Sequence, residues 1–192
     1  MNPMVSHDGT LSLYPDFLAQ DNADLLFAYL LQELAWSEEY IRMFGKSVLA
    51  PRLVCWYGDK DAVYRYSGIE HTPLPWTKTL EKLKVDVETA TQHRFNSVLG
   101  NLYRNEHDSM GWHSDNEKEL GDAPFIASIS LGAARIFKAR HKTAKEQIKL
   151  ILPHGSLLTM SGPFQHYWRH SVPKSSQPQT ARINLTFRYI QP

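Results

Sequence analysis

Between residues 95 and 190 the chain reads as one short β-segment after another, and that succession limits the fold more than any other feature. Segments 95–103, 125–131, 134–139, 148–152, 156–160 and 181–190 are rich in β-branched and aromatic residues, with Gly132 and Gly155 in or beside the turns. Only a short helical turn at 164–168, opened by Gly162 and Pro163, interrupts them. Two helical stretches come earlier. Leu25, Leu26, Tyr29, Leu30 and Leu34 recur at helical spacing behind Asp21 and Asn22, which are good N-caps, and that helix is expected to end near Trp36. Pro73 and Pro75 then break the chain before a second helix over 77–93, with Leu80, Leu83, Val87 and Ala90 on its apolar face. Residues 53–57 read as a strand, 58–61 as a turn, 63–66 as the return strand, and 1–15 as a loose lead-in.

Helices followed by many strands predict an α+β fold, a β-sandwich or barrel with the N-terminal helices packed on one side. A jelly roll fits, because its two sheets form an open-ended pocket that can hold a metal. The length of 192 residues suits one domain with a real core, helical over 1–95 and jelly-roll over 96–192. No apolar run approaches the roughly 18–20 residues of a membrane span, and the first residues lack the basic and apolar regions of a signal peptide. Cys55 is the only cysteine, so no internal disulfide can form. A reducing, intracellular setting is therefore expected, the cytoplasm of a bacterium or the nucleus of a eukaryote, and a monomer is the default.

The chemistry concentrates in Gly111-Trp112-His113-Ser114-Asp115 and a distant His170. In extended backbone, residues i and i+2 point the same way, so His113 and Asp115 can reach one ion. A third ligand from His170 completes a two-histidine, one-carboxylate face, which leaves about three positions of an octahedral iron(II) open. Downstream, Arg182, Asn184, Thr186 and Arg188 share one face of a strand while Ile183, Leu185 and Phe187 take the other. Two guanidiniums aimed at a metal-bound dicarboxylate would account for the polar face, since arginine pairs carboxylates bidentately. Each feature alone has a plainer reading: His-x-Asp recurs by chance, and a polar strand face can simply meet solvent.

Formal net charge is +1, so any affinity for nucleic acid must be local. Arg135, Lys138, Arg140, Lys142, Lys145 and Lys149 stand against a single acid, Glu146. That run reads equally as a solvated basic hairpin or as a phosphate-binding one.

Taken together, Asn101-Leu102-Tyr103, His113-Ser114-Asp115, 126–132, 154–158, 168–171 and 182–188 resemble the AlkB family of iron- and 2-oxoglutarate-dependent dioxygenases. The resemblance implies iron(II) held by His113, Asp115 and His170, as the catalytic centre. It implies 2-oxoglutarate bound by Asn101, Tyr103, Arg182, Asn184 and Arg188, with Arg182 at the distal carboxylate and Arg188 nearer the metal. O2 is the co-substrate, and ascorbate the reductant in vitro. The likeness extends to the branch that repairs duplex DNA, where alkylated bases are flipped out and demethylated. Met43, Phe44 and Gly45 match its intercalating finger, flanked by Arg42 and Lys46. Tyr64, Tyr66 and Ser67 match a lid over the flipped base, and Glu117 an acid near its exocyclic group. Arg52 is a further implied substrate contact. DNA, duplex or single-stranded, is the implied partner, and 1-methyladenine and 3-methylcytosine the implied lesions. Two departures stand out: Tyr66 replaces the phenylalanine usual in the lid, and the hairpin at 141–147 is short.

Overall fold

A computed structural model describes residues 3–43, 45–66 and 69–191, with 42–43, 64–66 and 69–71 described as backbone only. The first half of the chain runs β1 (Thr10–Tyr14), α1 (Gln20–Glu33), β2 (Ser37–Met43), β3 (Lys46–Gly58), β4 (Tyr64–Tyr66), β5 (Ile69–His71), β6 (Leu74–Pro75) and α2 (Lys78–Thr91). The second half is β7 (Ser97–Tyr103), β8 (Met110–His113), β9 (Ile126–Gly132), β10 (Arg135–His141), β11 (Gln147–Leu152), β12 (Ser156–Ser161), α3 (Phe164–Tyr167), β13 (Trp168–Val172) and β14 (Arg182–Arg188). A large sheet is ordered β1-β12-β9-β14-β7-β3-β2, with β6 added beside β3. A smaller sheet is ordered β11-β10-β13-β8. The two form a jelly-roll, double-stranded β-helix core in an α+β fold.

Two apolar layers hold it together. Leu30, Leu34, Leu80, Leu83 and Val87 pack from the helices onto Ile129, Leu131, Ile183, Leu185 and Phe187 of the large sheet. Each such side chain contributes roughly 1.5–3 kcal/mol on burial. Between the sheets, Phe137, Ala139, Leu150 and Leu152 meet Leu11, Ile126, Leu158 and Met160. Strand β14 lies between both layers, so Ile183, Leu185 and Phe187 face the helices and its polar residues face the interior between the sheets.

Several local expectations are corrected. The lead-in contains β1, which pairs with β12 and buries Leu11 completely. Helix α1 starts at Gln20 after Ala19, without a side-chain cap, so Asp21 lies in its first turn; it ends at Glu33. Its leucines surround the helix, and Leu25 is 72% exposed. Segment 53–57 is the end of a much longer strand, paired in a hairpin with the unforeseen, largely polar β2. The segment at 63–66 does not return against it; β4 pairs with β5. In α2, Thr77 caps the first turn through Leu80 N–H, and Leu80, Leu83 and Val87 are buried, but Ala90 is exposed. Arg135 does not join a solvated basic face: it is buried, donating to the carbonyls of Asn105, Asp108 and Pro173.

Gly100 is required by close packing between β7 and β3. A Cβ there would overlap the Sγ of Cys55 and sit 3.1 Å from the Trp36 ring. Burial pushes the Cys55 thiol up to about 12, so it packs as an uncharged group. Gly100→Ala is therefore expected to destabilise the fold by about 1–3 kcal/mol in urea denaturation. Adding Cys55→Ala should recover part of that loss, and no recovery would mean that Cys55 is not the obstacle.

Candidate metal centre and its two pockets

Strands β8 and β13 are antiparallel neighbours, and their register sets His113 directly opposite His170. His170 lies in the middle of its strand. Asp115, two residues beyond β8, turns back between the imidazoles. His113 Nε2 lies 3.9 Å from Asp115 Oδ1, and His170 Nε2 lies 3.6 Å from Oδ2. One donor atom from each of the three residues falls within 4.8 Å of the others. His113 Nδ1 donates to the Gly111 carbonyl at 2.8 Å, which leaves the Nε2 lone pair facing the cluster.

Electrostatics suit a divalent cation. Burial pushes the Asp115 carboxyl up, but Arg188 and the two histidines outweigh it and hold the group below its ordinary value. Burial, reinforced by His113, takes the His170 imidazole down to about 3 against the pull of Asp115. An ionised carboxylate beside a neutral imidazole is the protonation state that metal binding needs. The three residues therefore form a facial-triad site fit for iron(II).

His113 and Asp115 stand on the wall between two pockets, and His170 lines the narrower one. The wider, about 320 Å³, is lined by Glu38, Arg52, Trp56, Met110 and Glu117 as well as His113 and Asp115. The narrower holds Asn101, Tyr103, Arg182, Asn184, Thr186 and Arg188 beside all three metal ligands. Arg182 is 1% exposed, donates from Nη2 to Ser130 Oγ at 2.8 Å and lies 5.0 Å from the Tyr103 ring centroid. Among the described residues its Nε and Nη1 have no hydrogen-bond partner. Bare, buried guanidinium donors are costly unless an anion meets them, so this pocket fits a carboxylate of 2-oxoglutarate. Arg188 lies at the other end, its Nη2 2.7 Å from Asp115 Oδ1.

Other expected site residues differ in how free they are. Asn101 lines the narrow pocket, but its Oδ1 accepts from Arg52 Nε at 2.7 Å. Asn184 acts as a strut, donating to Ser128 Oγ and the Ile129 carbonyl and accepting from Thr186. Glu117 lines the wide pocket with Oε2 buried and, among the described residues, unpartnered. Arg52, also in that wall, is buried 3.7 Å from Glu39. Gly45 sits at the tip of the β2–β3 hairpin with φ +78°. Phe44 and Ser67 lie outside the described residues; Met43, Tyr64 and Tyr66 are placed by backbone alone, in β2 and β4.

The sequence did not flag Gln165. It lies 1% exposed in α3, and its Oε1 accepts the backbone N–H of Asp115 at 2.9 Å. Its Nε2 points to Met160 Sδ, while Ser114 Oγ donates to the Trp168 carbonyl. These bonds tie the loop carrying Asp115 to the segment that delivers His170. The only local signal was one amide among aromatics in Phe164-Gln165-His166-Tyr167-Trp168.

The profile of the 2OG-Fe(II) oxygenase superfamily matches residues 10–188. The chain belongs to that superfamily. Within it, the chain is of the AlkB family, related to homologs 2 and 3. It is 43% identical over 190 residues to alpha-ketoglutarate-dependent dioxygenase alkB homolog 3 of Homo sapiens, covering 94% of this chain and 66% of that one. It therefore spans just under two thirds of the length of that relative. It is 38% identical to DNA oxidative demethylase ALKBH2 of Mus musculus, covering 93% of this chain and 80% of the relative. The solved structure of OsALKBH1 shares the fold, with a TM-score of 0.67 at 17% identity and 98% of both chains covered. No helix among the described residues is long and apolar enough to cross a membrane.

Two substitutions probe this architecture. Gln165→Leu removes the acceptor for Asp115 N–H, and cobalt(II) affinity measured by absorption should weaken roughly 10–100-fold. An unchanged affinity would sink the positioning role. Asp108, in the loop between β7 and β8, accepts from Arg104 N, Nε and Nη2. Burial pushes its carboxyl up, but the bonds from Arg104 prevail and hold it below its ordinary value. A depressed folded-state pKa gives stability that is present above the unfolded value of about 3.9 and is lost as pH falls through the folded one. Asp108→Asn should cost about 2 kcal/mol at pH 7, with the gap to wild type closing in acid; a pH-independent gap would contradict the assignment.

Proposed function

We propose that this chain is an iron(II)- and 2-oxoglutarate-dependent enzyme that oxidatively demethylates N-alkylated bases in DNA. One observation carries the reading: His113 and Asp115 line both pockets, His170 completes the triad from the narrower one, and that narrower pocket presents the guanidinium edge of Arg182. The AlkB relatives that include a DNA oxidative demethylase support the substrate class.

His113, Asp115 and His170 would hold the metal. Arg182 would grip the distal carboxylate of 2-oxoglutarate, and Arg188, bonded to Asp115, would lie at the metal end. When bound, iron(II) with 2-oxoglutarate and O2 supplies the oxidation of an N-methyl group to N-hydroxymethyl, with succinate and CO2 as co-products. The hydroxymethylated base then releases formaldehyde and is restored. The cavity of about 320 Å³ is of ligand-site size and receives the base. Glu117 brings its unpartnered Oε2 to the exocyclic amino group, while the apolar Trp56, Leu99 and Met110 limit water around the methyl group.

The lesions are 1-methyladenine and 3-methylcytosine, taken from duplex by base flipping. Alkylation weakens their pairing, so extrusion costs less than for a normal base. The β2–β3 hairpin turns at Gly45, and an apolar wedge supplied by Met43 and Phe44 would offset the lost stacking.

The deciding experiment measures formaldehyde and base restoration on one oligonucleotide carrying 1-methyladenine, as single strand and as duplex. Iron(II), 2-oxoglutarate and ascorbate are supplied. Turnover that favours duplex supports the whole reading. Succinate without demethylation of either form would discard DNA as the substrate and direct attention to RNA or protein side chains. No turnover with metal bound would leave a binding module. His113→Ala should abolish turnover, whereas Phe44→Ala should mainly lower activity on duplex; equal losses on both forms would remove the wedge.

A further inference from the structure

One face of the large sheet runs from the wide pocket to the narrow one without a break. On β3 it carries Arg52, Val54 and Trp56, all in the wall of the wide pocket, while Leu53 and Tyr57 belong to the helix-covered core. On β7 it carries Leu99, Asn101 and Tyr103. Asn101 stands between Val54 on one neighbouring strand and Asn184 on the other. Arg52 reaches this face through a bulge in the β2–β3 ladder. Glu38 pairs with Leu53 and Tyr40 with Leu49, so Glu39 alone faces Ala50, Pro51 and Arg52. A proline lacks the N–H that a regular ladder needs, and bulges of this kind re-aim side chains beside functional sites. The Pro51 carbonyl accepts the N–H of Ser109 at 2.9 Å, which ties the bulge to the loop entering β8. Arg52 is buried, and its ion pair is loose, with Nη2 3.7 Å from Glu39 Oε2. Its short contact is with an amide: Nε donates to Asn101 Oδ1 at 2.7 Å.

We infer that Arg52 is a positioning residue for 2-oxoglutarate, acting through Asn101 rather than as a contact to the base. A guanidinium has donors only. The amide of Asn101 must therefore turn its oxygen to Arg52, which leaves Nδ2 for the narrow pocket that Asn101 lines. Among the described residues Nδ2 makes no hydrogen bond, whereas the Asn184 amide is occupied by Ser128, Ile129 and Thr186. The Asn101 amide thus adds its N–H groups to the Nε and Nη1 of Arg182 as donors for a dicarboxylate. Without Arg52 the two orientations of the amide are nearly equal in shape, and one of them sets a carbonyl oxygen against a carboxylate. The inference rests on the 2-oxoglutarate pocket of the function proposed above.

The test titrates 2-oxoglutarate into the whole, manganese(II)-loaded protein by calorimetry, without DNA. Arg52→Met should weaken 2-oxoglutarate binding roughly 10-fold and leave manganese(II) affinity unchanged. Asn101→Ala should weaken it by a similar factor. The double variant should lose no more than the weaker-binding single one, because residues that act as one unit are not additive. Arg52→Lys, which keeps a donor for Oδ1 without the fork, should recover part of the loss. If Arg52→Met fails to fold, the cycle runs on Arg52→Lys, whose remaining loss must vanish in the Asn101→Ala background. Additive losses would point to a direct charge effect on the dianion and overturn the positioning role. An unchanged 2-oxoglutarate affinity in Arg52→Met overturns it as well, and a raised KM for the oligonucleotide would then make Arg52 a base contact. Wild type that shows the expected cycle yet never demethylates an oligonucleotide leaves the positioning role standing and overturns DNA as the substrate. Demethylation together with additive losses overturns the positioning role alone. Wild type that binds no 2-oxoglutarate overturns both.

Discussion

The ion pair between Arg188 and Asp115 joins the two halves of this structure. It is buried, 2.7 Å long, and links the last strand of the large sheet to the loop that carries the metal-ligating carboxylate. Taking two charges out of water costs several kcal/mol per ion, so such a pair persists only with good geometry and further polar partners. Asp115 has them: two histidines face its carboxylate oxygens, and Gln165 accepts its backbone N–H and so fixes the loop that carries it. The pair contributes less to net stability than to position. It holds a carboxylate ionised where a divalent cation is to bind, and it places the metal against the pocket that carries Arg182.

Strand β14 allows this. It is central in the large sheet, bonded to β9 and β7 on its two sides, so its register is set from both edges. One face contributes Ile183, Leu185 and Phe187 to the helix-covered core, which stabilises the scaffold. The other presents Arg182, Asn184, Thr186 and Arg188 to the pocket. A buried polar face is costly unless its groups are satisfied. Asn184 and Thr186 are satisfied within the protein, and the two bare nitrogens of Arg182 are left for a ligand. Stability and binding capacity thus come from opposite sides of one seven-residue strand.

Legibility followed how local each signal was. The strands after residue 95 and helix α2 could be read because a period of 2, or an apolar face behind a Thr77 cap, is complete within a few residues. Strands β1 and β2 could not. Both are edges of the large sheet, β1 bridged on its outer side only at Val5 and Leu11, and polar residues are tolerated at an edge, so Ser37-Glu38-Glu39 carries no strand pattern. In helix α1 the pattern is ambiguous, because Leu25, Leu26, Leu30 and Leu31 surround it and packing against the sheet chooses the buried stripe.

By itself the sequence determined the donor types and their faces: a histidine and a carboxylate two apart, a second histidine downstream, and arginines alternating with apolar residues. These follow from backbone period, which is a property of neighbours in the chain. Only the tertiary structure decided that His113 stands opposite His170, that Gln165 reaches Asp115, that Arg135 is buried, and that Lys138 meets Lys149 while Arg140 meets Arg169. Register between strands distant in sequence is set by the packing of the whole sheet. A single-residue slip would send each of these side chains to the other face.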